Sequence, residues 1–511
     1  MLVSRRNGLL MAVLFSVFVA SCSGNTATTT AGEDITTGEE IAAAPAVRIV
    51  VAEEPSTLDA GNGGLADWQV NRNIVEALVD LDADTGEVLP LLAESWEQVD
   101  DLTWEFSLRE GVTFHNGEPF NAEAVVVAVN RLYGPGEMLL AAQGLPEFTA
   151  EAVDEMTVAI STADPDPIVP REMFFIPIME PGATGDSRNV RDPVGTGPYQ
   201  FVEWSTSEIT LEAYDDYWQG APEVAVMEYQ WRSESPVRAQ MVENGEADIA
   251  AGIAAQDFGG NRIETVAIAE TVIFRYDVNC PLFTDIRVRE AINQSIDRQL
   301  VAETVFEGLA EPAGQMVPPS VVGFSPNLQP PPYDVDGAAT TIEAVAAEAG
   351  WENRDVQLIY RPDFFLGAQE SSEVFADSLR QLGFDVTLEG LDASGWVDAI
   401  ILKPIPPERC AIIQSSAGSE LRDVARTFSA YLSTDGNISP GSDPTFDSTF
   451  EEASAVGDDT RGDRLAEVGE YQADSMVWII PVVHLQKAYA LGEGVEWTPR
   501  PDGLILGSEM G

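Results

Sequence analysis

Residues 89–132 read LPLLAESWEQVDDLTWEFSLREGVTFHNGEPFNAEAVVVAVNRL, and the reading of this stretch decides the fold. Trp104, Phe106 and Leu108 alternate with Glu105, Ser107 and Arg109, the period-2 pattern of a half-buried strand. Gly111 breaks that strand. Residues 112–115 begin a returning strand, and Asn116-Gly117 supplies a turn that needs positive φ. Pro119 ends the pairing. Asn121 is placed to cap a helix over residues 122–132, with Glu123 favourably set against the helix dipole. The pattern specifies a small α/β module and no chemistry.

The order of residues adds what periodicity does not. "P-LA-SW" followed by "T-x-x-F-x-L-R-x-G-V-x-F-H-x-G-x-P-F-x-A" resembles the peptide/nickel class of extracellular solute-binding proteins, with Asn116 where many members carry Asp. Further segments resemble that class in family order. They are Glu54-Pro55-Ser56-Thr57-Leu58-Asp59, Gly195-Thr196-Gly197-Pro198-Tyr199, Gly245-Glu246-Ala247-Asp248-Ile249 and Phe283-Thr284-Asp285-Ile286-Arg287-Val288-Arg289. Ile296-Asp297-Arg298, Tyr333-Asp334 and Glu348-Ala349-Gly350-Trp351 continue the series. The resemblance spans residues 47–511 and is weakest between 390 and 475.

It implies a type II periplasmic-binding fold, α/β, with two lobes, a hinge and a small accessory region. Lobe I would take residues 47–86, 191–280 and 478–511; the accessory region, 87–190; lobe II, 281–477. A solute would sit in the inter-lobe cleft, favour closure and pass to the permease of an ABC uptake transporter. An oligopeptide is the expected solute. Opine-, sugar- and metal-chelate-like solutes are the alternatives, as is a sensor or chaperone role without transport. An extracellular hydrolase on this fold lacks a convergent nucleophile, base and orienter in the sequence.

The bulk numbers bound the class. The 511 residues carry 27 basic and 85 acidic side chains, a formal charge of −58, which argues against nucleic acid as a partner. Only Lys403 and Lys487 are lysines. Hydrophobic residues at 45% suit a folded globular chain long enough for two or three lobes.

Arg5-Arg6 precede an apolar run at residues 9–20, too short to span a bilayer and right for a signal peptide over residues 1–21. Val19-Ala20-Ser21-Cys22 resembles a bacterial lipobox, which would leave a lipidated Cys22 anchored to the cell membrane on its periplasmic or cell-wall side. Residues 22–46 then form a tether rich in Thr, Ala and Gly. The remaining Cys280 and Cys410 are an even pair in an oxidising compartment, read as a disulfide, with two buried thiols as the alternative. The chain is expected to work as a monomer with no cofactor.

Elsewhere, strands are expected at residues 47–51, 153–160, 209–214, 226–231, 356–360, 386–388 and 478–485. Helices are expected at 71–81, 338–349, 370–382 and 464–476. Val288, Ala291, Ile292, Ser295, Ile296 and Gln299 form one helical stripe capped by Asp285. Residues 164–170, 182–193, 318–332 and 441–447 read as loops.

Catalytic residues are not expected. His115 lies in the Phe-His-Asn-Gly turn, where the family resemblance implies a structural histidine, and His484 sits in an apolar strand. No G-x-S-x-G, H-E-x-x-H or cysteine-histidine metal spacing occurs. Ligand contacts come by resemblance from two strand edges. One falls at Gly63, Gly64 and Leu65; the other at Ser415, Ser416, Ala417, Gly418 and Ser419. Asp423 is the candidate for holding a ligand ammonium, although the aromatic-small-Asp-Tyr pattern is replaced by Ser-Ser-Ala-Gly-Ser-Glu-Leu-Arg-Asp-Val. The bland reading pairs Asp423 with Arg422 or Arg426. Trp231, with Trp68 and Trp396, is a candidate pocket wall, and Arg232 a candidate partner for a ligand carboxylate.

Overall fold

The apolar run near residue 47 forms β1 (Ala46–Val51), the first strand of the computed structural model, which describes residues 46–59, 61, 65–132, 145–184, 190–419 and 421–510. A short helix, α1 (Leu65–Asn71), follows. The chain then builds a side module. β2 (Val79–Leu81) pairs with β3 (Val88–Pro90). β4 (Ala93–Asp100), β5 (Thr103–Leu108), β6 (Thr149–Asp154) and β7 (Thr157–Ser161) make a separate sheet in the order β4-β5-β7-β6. α2 (Ala122–Leu132) closes its core, in which Phe106, Val129, Val158 and Ile160 are fully buried.

β8 (Tyr199–Trp204), β9 (Glu208–Ala213), β10 (Val226–Trp231), α3 (Ser235–Glu243) and β11 (Ile249–Ala251) return the chain to β1, which lies parallel to β10 and β11. The return passes through Gly195-Thr196-Gly197, where a Cβ on either glycine would meet the carbonyl oxygen of Ile74 at 2.0 or 2.8 Å.

β12 (Arg262–Tyr276) then leads out to α4 (Ile286–Gln294), α5 (Arg298–Thr304), β13 (Ala310–Pro312) and α6 (Val335–Ala349). β14 (Asp355–Tyr360), α7 (Ala368–Gln381), β15 (Asp385–Gly390), α8 (Ala393–Ile400) and β16 (Ala411–Gly418) follow. α9 (Ala425–Leu432), α10 (Pro444–Ser454) and α11 (Arg461–Tyr471) precede the last strand, β17 (Ile479–Leu491). The acid-rich composition has a local use here. Asp285, Asp297, Asp334, Asp392 and Asp443 each accept a backbone N–H at a helix start, where a carboxylate also suits the dipole.

The main sheet runs β15-β14-β16-β12-β17-β11-β1-β10-β9-β8, with β13 beside β17. Strands of one lobe lie on one side and strands of the other lobe on the opposite side, and the antiparallel pair β12/β17 belongs to both. A disulfide joins Cys280, just past β12, to Cys410, just before β16.

Several local expectations are corrected. Residues 71–81 are not a helix. The helix precedes them, and the Asn73 side chain donates to Gln69 O, Tyr229 OH and Ile505 O, pinning a turn before β2. Residues 112–115 do not pair with β5, because β4 and β7 fill both of its edges. They fold instead around Asn116-Gly117, with Gly117 at φ 84° and Thr113 bridged to Pro119. Residues 153–160 are two strands, because Asp154 accepts the Met156 N–H in a turn. The stripe from Val288 to Gln299 breaks at residues 295–297, where Asp297 accepts Leu300 N–H and starts α5. Residues 164–170 and 182–193 are not wholly loop, since helical turns occupy Val169–Glu172 and Pro181–Thr184. Residues 441–447 contain the start of α10, which Asp443 caps while Pro444 occupies its first turn.

Candidate functional site

The ladder between β12 and β17 is interrupted where the two lobes meet. Ala267 pairs with Gln486 and Thr271 with His484, so Ile268, Ala269 and Glu270 face one residue, Leu485. A bulge of this kind re-aims side chains. All three bulge residues, with residues 485–488 of β17, form the floor of a cavity of about 1180 Å³. That exceeds the roughly 300–1,000 Å³ usual for small-molecule sites.

Both lobes supply walls. Trp68 of α1 packs against Phe174 and Phe175 at centroid distances of 6.4 and 5.1 Å, which makes an aromatic face from the first lobe and its side module. Phe306, Phe364 and Phe365 form a second face from the other lobe. Glu307, held at φ 50°, reaches across to Gln256. With its amide nitrogen facing the carboxylate, Gln256 donates to both oxygens at 3.1 and 3.3 Å.

The lobes are also clasped beside the cavity. Arg171 Nη1 donates to Gly86 O at 2.6 Å and Leu421 O at 2.8 Å. Arg422 Nη2 donates to Ala83 O at 2.9 Å. Gly86 sits at φ 69°, and a Cβ there would fall 2.6 Å from the Arg422 Cβ. The Arg426 guanidinium lies 5.4 Å from the Phe175 ring centroid, a cation–π contact across the same junction.

Charges on the lining differ in what holds them. Arg238 is buried and donates to the carbonyls of Ala251, Arg232, Ser233 and Gly252. Arg422 is occupied by Ser320 and Ala83. Lys487 is half-buried, lies over the Tyr489 ring at 5.6 Å and has no hydrogen-bond or ion-pair partner among the described residues. Burial pushes its ammonium below the usual lysine range.

Of the residues marked in the sequence, Ser419 and Trp68 line this cavity. Ser415, Ser416, Ala417 and Gly418 do not. They pair with Ile273, Val272, Thr271 and Glu270 on one edge, and Ser415 Oγ and Ser416 O bond Tyr431 OH. Asp423 is buried, and both its carboxylate oxygens are held by Arg461, at 2.7 and 3.1 Å. Asp423 is not among the residues lining the cavity, and its ion-pair partner is Arg461 rather than Arg422 or Arg426. Trp231 packs at the end of β10, Arg232 folds back onto Trp231 O, and the Trp396 indole donates to Gln414 O. Gly63 and Gly64 lie outside the described residues, as does Cys22; Leu65 opens α1.

His115 bonds Gly197 O through Nε2 at 2.9 Å and stacks edge-on against Tyr214, which fastens the 112–120 turn to the Gly195-Thr196-Gly197 return. His484 Nδ1 meets Thr271 Oγ1 at 2.8 Å. Burial lowers both imidazoles to about 4. No group of three or more His, Cys, Asp or Glu is arranged to hold a metal ion among the described residues.

Residues 87–455 match the model for bacterial extracellular solute-binding proteins, family 5. The chain belongs to that family. It is 30% identical over 374 residues to the glutathione-binding protein GsiB of Salmonella typhi, covering 69% of this chain and 70% of that one. Among solved structures, HbpA2 from Haemophilus parasuis superposes with a TM-score of 0.78 at 21% identity, over 91% of this chain and 99% of that one. The Helicobacter pylori periplasmic binding protein DppA, in complex with peptide STSA, superposes at 0.75 with 19% identity, over 91% and 97%. Those likenesses establish the fold as the two-lobed type II binding architecture. As a family 5 member, the chain is a substrate-binding component of an ABC transporter.

The bulge and the place of Lys487 depend on the β12/β17 register, which no local pattern encodes. One signal was present: a lysine in the apolar run VVHLQKAYAL, in a chain with only one other lysine.

Proposed function

We propose that this family member captures a short peptide in the cavity over the β12/β17 bulge and delivers it to its permease. The carrying observation is the cavity itself: larger than a typical small-molecule site, with aromatic faces from both lobes and charged groups of both signs. Aromatic walls take peptide side chains, and the mixed charge suits a zwitterion. The glutathione-binding and peptide-bound relatives support the same class. Fold neighbours hold an opine and a nickel–histidine chelate as well, so the choice of peptide rests on the cavity lining and not on those neighbours.

The reading includes the anchor. Cleavage before Cys22 and lipidation of that cysteine hold the folded body by residues 23–46 on the outer side of the cell membrane, where it works as a monomer. No helix among the described residues is long and apolar enough to cross a membrane.

Thermal unfolding against panels of peptides, sugars and opines tests the solute class. A ligand at a hundred times its dissociation constant adds about 2.7 kcal/mol. A shift with peptides alone supports the reading; a shift with sugars or opines and none with peptides ends it.

A further inference from the structure

We propose that Lys487 is the specificity-determining residue that receives the carboxylate of the bound peptide. The inference rests on the peptide reading of the cavity and deepens it.

Three observations converge. The first is position. Lys487 lies on the strand shared by both lobes, opposite Val266 and next to the bulge, so its ammonium belongs to the cavity floor rather than to one wall. The second is a census of cations. Among the lining cations, Arg238 is saturated by four carbonyls, Arg422 holds the clasp to Ala83, and Arg426 is engaged over Phe175. Lys487 alone has no hydrogen-bond or ion-pair partner among the described residues. A half-buried ammonium without one is costly unless something brings a counter-charge. The third is the surroundings. The Tyr489 ring beneath it is packed edge-on against Trp497, and the Tyr489 hydroxyl is itself buried without a hydrogen-bond partner among the described residues. Glu270 and Asp502 act on Lys487 only through space, and Arg238 repels it.

A carboxylate is the counter-charge that fits. It gives the ammonium a charge-assisted hydrogen bond in a site partly withdrawn from water. The chain carries −58, so a ligand of net negative charge is disfavoured on approach, whereas a zwitterionic peptide brings a carboxylate with no net charge.

Titration calorimetry on a set of di- to pentapeptides, each as free acid and as C-terminal amide, tests this. The wild-type chain should bind acids about tenfold or more tightly than their amides. Lys487→Met should abolish that preference, and Lys487→Arg should retain it. Melting curves establish that the variants fold, and Lys487→Gln, for which the same loss of preference is expected, carries the test if Lys487→Met does not fold. Equal binding of acid and amide by the wild type overturns the inference while leaving peptide capture intact. So does a preference that survives Lys487→Met, which moves the anchor elsewhere. If no peptide of the set binds in either form, peptide capture fails and the inference falls with it.

Discussion

The segment at residues 421–424 and the strand β17 each bring an ionisable side chain to the cleft region, and they treat it in opposite ways. Asp423 is enclosed and bound through both oxygens by Arg461, while Asp423 Oδ1 also accepts the Ala425 N–H at the start of α9. Lys487 is half-buried on a strand of Val, Leu and Ala, over an aromatic ring, with no hydrogen-bond or ion-pair partner among the described residues. A charge near a cleft is a ligand residue only when the protein has not already neutralised it. Family resemblance points to Asp423, and the free ammonium on the cavity floor points to Lys487.

The largest expected effect breaks or confirms the first half of that contrast. Asp423→Asn removes the counter-charge of the buried Arg461 guanidinium, which keeps its bonds to Ser454 O and Val456 O, and should cost about 3–5 kcal/mol in denaturant unfolding. Peptide affinity of the folded fraction should be unchanged; a loss of affinity at wild-type stability would return Asp423 to the ligand site. Next is the Cys280–Cys410 bridge, which ties the end of β12 to the start of β16 across a sequence separation of 130. Replacing both cysteines by serine should remove about 2–5 kcal/mol, with affinity preserved, because neither residue lines the cavity.

A smaller effect concerns His484, three residues from Lys487. His115 and His484 both have a folded-state pKa of about 4, below the ordinary 6.5, so the unfolded chain takes up protons first. Their contribution to stability is complete above 6.5 and is lost as the pH falls towards 4. Glu76 opposes them. Burial raises it to about 7, so its contribution declines as the pH rises from 4.5 to 7. His484→Gln should therefore shrink the acid-side loss of stability, measured by melting between pH 4 and 8. A variant as acid-sensitive as the wild type would show that His484 is not buried neutral. The smallest effect compares the two lysines. Lys403 donates its ammonium to Gly436 O, so Lys403→Met should cost about 1 kcal/mol and leave the acid-over-amide preference untouched.

Much of the architecture is legible in the residue order. β1, β10 and β14 are short apolar runs, and the Asp285 cap and the helix over residues 122–132 are local features that local rules capture. The errors share a cause. Residues 112–115 look like a returning strand until β4 and β7 fill the edges of β5, and residues 71–81 look helical until Asn73 is seen bonding Tyr229 and Ile505. Each depends on a partner remote in sequence. The site is less legible for the same reason. Arg461 lies 38 positions beyond Asp423, and the bulge at Ile268–Glu270 exists only in the register between β12 and a strand more than 200 residues later.

The scarcity of lysine gives β17 a chemical address. Of 27 basic side chains, 25 are arginines, which acylating reagents leave alone, and Lys403 is tied to a carbonyl. Lys487 has its ammonium pKa lowered by burial and so offers more free amine at neutral pH than a surface lysine. Among the lysines, that places one acylation target at the floor of the cleft, next to the bulge where the lobes meet, and one, Lys403, exposed away from it. A solute seated over Lys487 should slow its acylation, so the rate of modification reports occupancy of the cleft.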